Sequence, residues 1–235
     1  MEVLSWNQQA MAALKQGSFE DSLSLLNKAK TASTDPALAA LTHSNLGSYY
    51  WAKGESSTAL ACLRKALHFE QKTGSFLNVA AACLRIAATY QLLGKFSKGL
   101  AYSRRAADSL KGRLDDLEVA KTFVLAHYES GKLCELMTDY YEAGKHYLAG
   151  LETAEKRLKP AHPIRVALRV AASKLDEKAS GYRSKLSRGL APLRRRQRSV
   201  SRSKPSTAVR RSRRANDSFL KELKANVINV KASLL

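Results

Sequence analysis

The stretches that decide the fold are THSNLGSYYWAKGESSTALACLRKA at residues 42–66 and ACLRIAATYQLLGKFSKGLAYSRRA at residues 82–106. Both carry one pattern: a small residue, a Tyr three positions later, a Gly, and then small or apolar residues at helical spacing. The matched positions are Gly47 and Ala87, Tyr50 and Tyr90, Gly54 and Gly94, Ala59 and Gly99, Leu63 and Ser103, and Ala66 and Ala106. A small residue lets two helix backbones approach closely, and a single Gly commonly ends a helix. Each stretch therefore predicts a helix hairpin.

Weaker copies of the pattern lie on both sides of these two. The first begins at Trp6, carries Ala10 and Gly17 and ends at Asp35-Pro36, and the last carries Gly131. The small residues recur at intervals of 37, 40 and 44 positions. These spacings and residue types resemble the tetratricopeptide repeat, a helix-turn-helix unit of about 34 residues, over roughly residues 3–176. The resemblance implies an all-α, right-handed solenoid of helix hairpins, and the longer intervals imply longer helices.

The sequence after the repeats predicts three further segments. Apolar residues at intervals of three and four follow Pro163 and predict a long helix that caps the solenoid: Ile164, Leu168, Ala171, Leu175, Ala179, Tyr182 and Leu186. We expect the repeat domain to span residues 1–187 and a basic Arg/Ser-rich tail to span 188–215. Residues 216–235 are then predicted to form an amphipathic helix with the stripe Leu220, Leu223, Val227, Val230 and Leu234, which we expect to contact another protein or the repeats.

The positive charge is concentrated in the tail. The 235 residues contain 40 Lys+Arg and 20 Asp+Glu, a net charge of +20, and residues 178–214 contain 14 of the basic residues and no acid. Such a block is predicted to be disordered when unbound, because it cannot bury enough surface to offset its ordering entropy. Its preference for Arg favours bidentate contact with carboxylates or phosphates of an acidic polymer. The candidate contacts are Arg194, Arg195, Arg196, Arg198, Arg202, Lys204, Arg210, Arg211, Arg213 and Arg214.

Three functions remain open for this tail. The first hypothesis is a scaffold anchored to microtubules, because tubulin has an acidic surface. The resemblance to tetratricopeptide proteins, many of which occur in axonemes, implies the setting, which is the cytoplasm and cytoskeleton and includes the axoneme of a cilium or flagellum. RNA phosphates would suit a ribonucleoprotein component, although no aromatic residue between Arg183 and Arg214 offers a stacking surface for bases. A nuclear localisation signal on an adaptor protein is the third reading. Ser199 and Ser212 resemble sites for basic-directed kinases, and phosphates there would cancel tail charge.

A second binding surface follows from the resemblance. In tetratricopeptide proteins the first helix of each pair lines a concave groove that binds another protein, and the corresponding residues here are Asn7, Met11, Asn45, Ser48, Trp51, Arg85 and Gln91. Trp51 is either a large anchor for an extended or helical partner segment or a residue packed between helices. Asn45 and Arg85 match two of the five positions of the carboxylate clamp in chaperone-binding members of the family. This leaves too few donors for a terminal carboxylate, which disfavours a chaperone adaptor.

The sequence offers little for catalysis. Cys62, Cys83 and Cys134 form no CxxC motif or metal-ligand spacing, and His43 and His127 fall at helix-packing positions. We expect no enzyme activity, cofactor or metal. The first residues, MEVLSWNQQA, have no features of a secretory signal, and no apolar run reaches membrane-spanning length. We therefore expect an intracellular protein-interaction scaffold without a membrane partner.

Overall fold

The computed structural model describes residues 2–175, which form nine helices and no strand. The helices are α1 Glu2–Gln16, α2 Phe19–Ala32, α3 Pro36–Ala52, α4 Ser56–Thr73, α5 Phe76–Leu92, α6 Phe96–Leu110, α7 Leu117–Leu136, α8 Tyr140–Arg157 and α9, from 163 to the last described residue, 175. Helices α1 to α8 pack as four consecutive hairpins, and each hairpin stacks on the next. The all-α solenoid of helix hairpins predicted from the repeats is confirmed.

The turn inside each hairpin depends on one residue in the left-handed backbone region. In the first three hairpins this residue is Gly17, Gly54 or Gly94, with φ of 84°, 82° and 68°. The fourth turn has Thr138 there, with φ of 62°. The Asp139 amide still donates to the Cys134 carbonyl at 2.9 Å, the hydrogen bond that closes the turn. A β-branched residue is disfavoured in this region because its Cβ crowds the backbone, so the fourth turn is strained.

Small residues set how closely the two helices of a hairpin approach. A methyl group added at Gly131 in α7 would lie 2.3 Å from Cε1 of Tyr147 in α8, and one added at Gly47 in α3 would lie 2.7 Å from Cγ of Leu63 in α4. Tyr147 is fully buried, and its hydroxyl donates to Glu135 Oε1 at 2.5 Å. The small residues that define the repeat therefore make room for the large residues that fill its core.

Helix α9 covers the last hairpin along its described length. Leu168 is fully buried against α8, and Leu175 is 8% exposed. Both leucines approach glycines of α8, because a methyl group at Gly150 would lie 3.3 Å from Leu168 and one at Gly144 would lie 3.1 Å from Leu175. The capping role predicted for this helix agrees with these contacts. The rest of the predicted capping helix, the basic tail and the 216–235 helix lie outside the described residues.

A neutral histidine pair joins α6, α7 and α8. Arg104 Nε donates to His146 Nε2 at 3.2 Å, so His146 carries its proton on Nδ1 and can donate it to His127 Nδ1, 3.3 Å away. Burial lowers the pKa of His127 to about 4, with His146 acting in the same direction and Asp108 against it. Burial also lowers the pKa of His146, as do Arg104 and Lys145, whereas Glu142 opposes them. The packing of His127 predicted from the repeat is confirmed by its ring contact with Phe123 at 4.6 Å.

No helix within the described residues is both long and apolar enough to cross a membrane.

The strained turn gives a first prediction. Replacing Thr138 by Gly should raise the free energy of unfolding by about 0.5–1 kcal/mol, because relief of the left-handed strain, about 1–2 kcal/mol, exceeds the entropy cost of Gly. The reciprocal Gly94→Thr change should lower stability. Urea unfolding of the full chain, followed by circular dichroism, measures both. A T138G protein no more stable than the parent would show that Thr138 is not strained.

The histidine pair gives a second prediction. Unfolded histidine takes up a proton below about pH 6.5, whereas folded His127 resists protonation down to about pH 4. The unfolded state therefore binds more protons in this window, so stability should fall as the pH falls from about 7 to 4. His127→Gln, which stays neutral throughout, should make this decline shallower. Urea unfolding at a series of pH values tests it, and an unchanged slope would contradict the assignment.

Candidate partner-binding groove

The first helices of the hairpins form the inner face of the stack. Helix α1 contacts α3, and α5 contacts α7, in addition to their contacts within hairpins and with the next hairpin. Within the described residues, no comparable contact joins the second helices α2, α4, α6 and α8 to one another. The first two hairpins, and the last two, therefore have first helices that are closer together than their second helices, so each of these pairs curves toward its first helices. The candidate groove therefore runs along α1, α3, α5 and α7.

Two predicted groove residues are not on the surface of this groove. Asn7 is 1% exposed and Asn45 is 2% exposed. Asn45 Nδ2 donates to Asn7 Oδ1 at 2.8 Å, and Asn7 Nδ2 donates to Thr42 Oγ1 and to the Val3 carbonyl, both at 2.9 Å. The structure corrects the assignment of both residues, because their amides are occupied in joining α1 to α3. It also removes Asn45 from any carboxylate clamp.

Three further predicted residues, Met11, Ser48 and Trp51, are half-buried. The Ser48 hydroxyl donates to the Ser44 carbonyl of the same helix at 3.2 Å. The 37-residue interval between the first two repeats makes Met11 of α1 equivalent to Ser48 of α3. A half-buried side chain can pack between helices and still offer part of its surface, so these three residues stay candidate groove contacts.

Helix α5 contains the last two predicted groove residues, Arg85 and Gln91. Arg85 is half-buried. Burial lowers the pKa of its guanidinium, while the Glu70 carboxylate acts to raise it. Gln91 is 6% exposed, and its Oε1 is buried without a hydrogen-bond partner within the described residues. Gln91 is thus buried, as Asn7 and Asn45 are, and its side chain is not on the groove surface.

The prediction missed the charged residues of α7. Lys132 Nζ lies 3.3 Å from Glu129 Oε1, and their side chains are only 16% and 14% exposed. Lys132 also lies over the Tyr128 ring, 5.2 Å from its centroid. Burial raises the pKa of Tyr147 above its usual value, and the Glu135 carboxylate that accepts its hydroxyl adds to this. The 44-residue interval that relates Ala87 to Gly131 would have found these positions, since it maps Arg85 to Glu129 and Gln91 to Glu135.

The groove can recognise a protein segment through mixed contacts. Its α1 and α3 end presents Met11 and Trp51, and its α7 end presents a partly desolvated ion pair. Ion pairs of this kind contribute to partner choice more than to affinity. Within residues 2–175 no group of three His, Cys, Asp or Glu side chains could hold a metal ion. The ten predicted tail contacts, Arg194 to Arg214, and Ser199 and Ser212 lie outside the described residues.

The sequence and the fold were compared with those of known proteins. Residues 41–72 match the family model of the tetratricopeptide repeat. No curated protein matches the chain.

Solved structures resemble the chain over most of its length. TPR-like repeats from Podosopora anserina, ascribed to a kinesin light chain, are 17% identical with a TM-score of 0.62, and the match covers 80% of this chain and 92% of that one. BtubC (BKLC) from P. vanneervenii is 21% identical with a TM-score of 0.59, covering 83% and 85%. The apo form of RapI is 14% identical with a TM-score of 0.66, covering 79% and 67%. Residues 41–72 are thus a tetratricopeptide repeat, and the described chain has the helical-repeat fold of tetratricopeptide proteins.

Proposed function

We propose that the protein is a non-enzymatic scaffold that binds a partner protein in its inner groove and is anchored to microtubules by its basic tail. The tetratricopeptide-type fold supports the scaffold role, since this fold generally serves protein interaction. The observation that carries the anchor is the separation of charge, with 14 basic residues and no acid in residues 178–214.

Charge pairing inside the repeats supports assigning the anchor to the tail. Charged groups of α6 and α8 pair with each other, as Arg104 does with Glu142 at 3.2 Å. Arg157 pairs with Asp115 at 2.5 Å, and Lys156 pairs with Glu152 at 2.8 Å. Paired surface charges attract a distant polymer only weakly, because the two charges largely cancel and salt screens the remaining electrostatic field. An unpaired run of arginines has no such compensation.

Tubulin is the proposed polymer because its surface and tails are acidic. Arg binds carboxylates in a bidentate way, and the Ser-interleaved tail can follow an acidic chain without a fixed structure of its own. The similarity to repeats ascribed to a kinesin light chain supports a cytoskeletal setting. RNA is the competing polymer, because its phosphates would attract the same arginines.

Cosedimentation with microtubules tests the anchor. The full chain should pellet with microtubules, and deletion of residues 188–214, which removes eleven basic residues, should weaken binding roughly tenfold or more. Proteolytic removal of the acidic tubulin tails should have the same effect. As a matched control, lysine at Arg194, Arg195, Arg196 and Arg198 should retain most binding, whereas glutamine at these positions should not.

Two outcomes would reject this anchor. Pelleting that persists after deletion of residues 188–214 would place the contact elsewhere. Binding to RNA at matched salt that exceeds microtubule binding, together with indifference to the tubulin tails, would favour the ribonucleoprotein alternative.

Phosphorylation is proposed as the regulator of the tail. Glutamate at both Ser199 and Ser212 should weaken microtubule binding several-fold and increase its sensitivity to salt, since added negative charge offsets neighbouring arginines. Alanine at both positions is the matched control and should bind like the parent. Equal affinities of the Glu and Ala variants in the same cosedimentation assay would show that charge at these serines has no regulatory effect.

A further inference from the structure

An outer cavity lies on the opposite side of the stack from the groove. Its volume is about 220 Å³, its floor is α3 and its walls are α2 and α4. The polar groups that line it come from all three helices: Asn27, Lys30, His43, Tyr50, Cys62 and Lys65. The cleft exists because the second helices α2 and α4 do not pack closely against each other.

The cavity holds two cations and no acid. Lys30 and Lys65 line opposite walls, and none of the lining residues is Asp or Glu. Neither lysine has an acidic residue three or four positions away on its own helix, so the usual intrahelical pairing is not available. The carboxylate of nearby Glu55 pairs instead with Lys53, at 3.6 Å. Both lysines are exposed residues at the edge of the cavity, and the cavity walls supply no counter-charge.

The positive charges of Lys30 and Lys65 affect the pKa values of His43, on the floor of the cavity, and Cys62, on its wall. Burial lowers the pKa of His43, and Lys65 and Lys30 lower it further. Burial raises the pKa of the Cys62 thiol, while the same two lysines act to lower it. Lys30 and Lys65 thus act on the same two side chains, and both line the same cavity.

The floor of the cavity also includes a histidine with an unsatisfied polar atom. His43 Nδ1 is buried and has no hydrogen-bond partner among the described residues. The ring is held in place by stacking on Phe69, with centroids 5.6 Å apart and an angle of 8° between the planes. An unpaired buried nitrogen is costly to the folded state, but this atom is not accessible to solvent, so His43 contributes its ring and not Nδ1 to the cavity lining. Asn27, Thr58 and Tyr50 supply further possible donors around the rim.

A second outer cavity shows that such charge is not a general feature of these clefts. It measures about 320 Å³ and is lined by Glu152, Lys156 and Arg157, among others. Here Lys156 pairs with Glu152 and Arg157 pairs with Asp115. The basic residues of this second cavity are paired with acids, whereas no acid lines the α2–α4 cavity.

From these observations we infer that the α2–α4 cavity is a binding site for a phosphomonoester. Two lysines without a salt-bridge partner among residues 2–175 complement the two negative charges of a phosphomonoester better than the single charge of a carboxylate. The cavity is smaller than the roughly 300–1,000 Å³ of typical cofactor and drug sites, so it suits one phosphate group on a short stem, such as a phosphoserine, and not a nucleotide. The inference concerns the repeat domain alone and does not depend on the tail or its polymer.

Cys62 provides a local readout in the full chain. It lines the cavity and is half-buried, whereas Cys83 and Cys134 are buried elsewhere and serve as internal controls. Inorganic phosphate and O-phospho-L-serine, each raised to about 10 mM at constant ionic strength, would exceed a Kd of about 1 mM tenfold. We expect either to slow alkylation of Cys62 by iodoacetamide several-fold in a saturable way. Phosphate bound by the basic tail does not register in this measurement.

Matched variants make the test specific. Lys30→Gln and Lys65→Gln should each weaken the protection, and the double variant should abolish it. Lys28→Gln, two positions from Lys30 on an exposed part of α2, should leave the protection intact. Thermal unfolding of each variant checks that the fold is retained, as expected for changes at surface lysines.

Three results would overturn the inference. The first is a Cys62 rate that phosphate and phosphoserine leave unchanged. The second is equal protection in the parent and the K30Q/K65Q double variant, which would mean that phosphate acts outside the cavity. The third is protection by acetate or glutamate as strong as that by phosphate at the same concentration, which would identify a carboxylate site. Protection by phosphoserine but not by inorganic phosphate would support a ligand whose stem also contacts the cavity. Protection by both would support recognition of the phosphate group alone.

Discussion

The close approach of two helix backbones at one small residue is the constraint on which the structure depends. At Gly131 there is no space for even a methyl group, because the Tyr147 ring would lie 2.3 Å from it. Other hairpins have crossings of the same kind. Gly47 packs against Leu63, and a methyl group added at Gly99 would lie 3.1 Å from the Ala87 carbonyl oxygen. The two helix backbones of a hairpin are close together where they cross, and a large side chain packs next to the crossing point. Hairpins of this form share a stacking surface, so one local rule repeated along the chain produces the whole solenoid.

Buried polar contacts then fix how hairpins are aligned. The Asn7, Thr42 and Asn45 side chains join the first hairpin to the second, and Ser130 Oγ donates to Ser103 Oγ at 2.9 Å between α7 and α6. Apolar packing alone tolerates small shifts, whereas a shift here would leave buried donors without acceptors. These residues therefore specify the alignment of neighbouring hairpins, a role that leaves Asn7 and Asn45 unavailable to a partner.

The sequence predicts the hairpins well because their cause is local. Gly17, Gly54 and Gly94 mark turns whatever surrounds them, and the Gly and Ala spacing marks the crossings. The fourth turn escapes this rule because Thr138 takes a backbone conformation that Gly normally supplies, imposed by the packing of α7 on α8. The sequence predicts Asn7 to lie in the groove because α1 is the first helix of a hairpin. Its burial depends on how α1 packs against α3, which is a tertiary property. The outer cavity was missed for a related reason, since Lys30, His43 and Lys65 are far apart in sequence and only the stacking of α2, α3 and α4 brings them together.

The fold also separates surfaces with different electrostatic roles. Some charges on α6, α7 and α8 are paired, between α6 and α8 as in Arg104–Glu142 or within one helix as in Lys132–Glu129, and salt of physiological strength screens the remaining field within about 8 Å. Short-range recognition through shape and specific donors, as proposed for the inner groove, suits such a domain. Two lysines that line one cavity with no acid in its lining are informative, because folding alone gives no reason to place them together. Their repulsion is a small cost that a bound anion would reverse. By the same reasoning, a run of basic residues without acids is more readily explained by an external acidic partner than by the stability of the repeats.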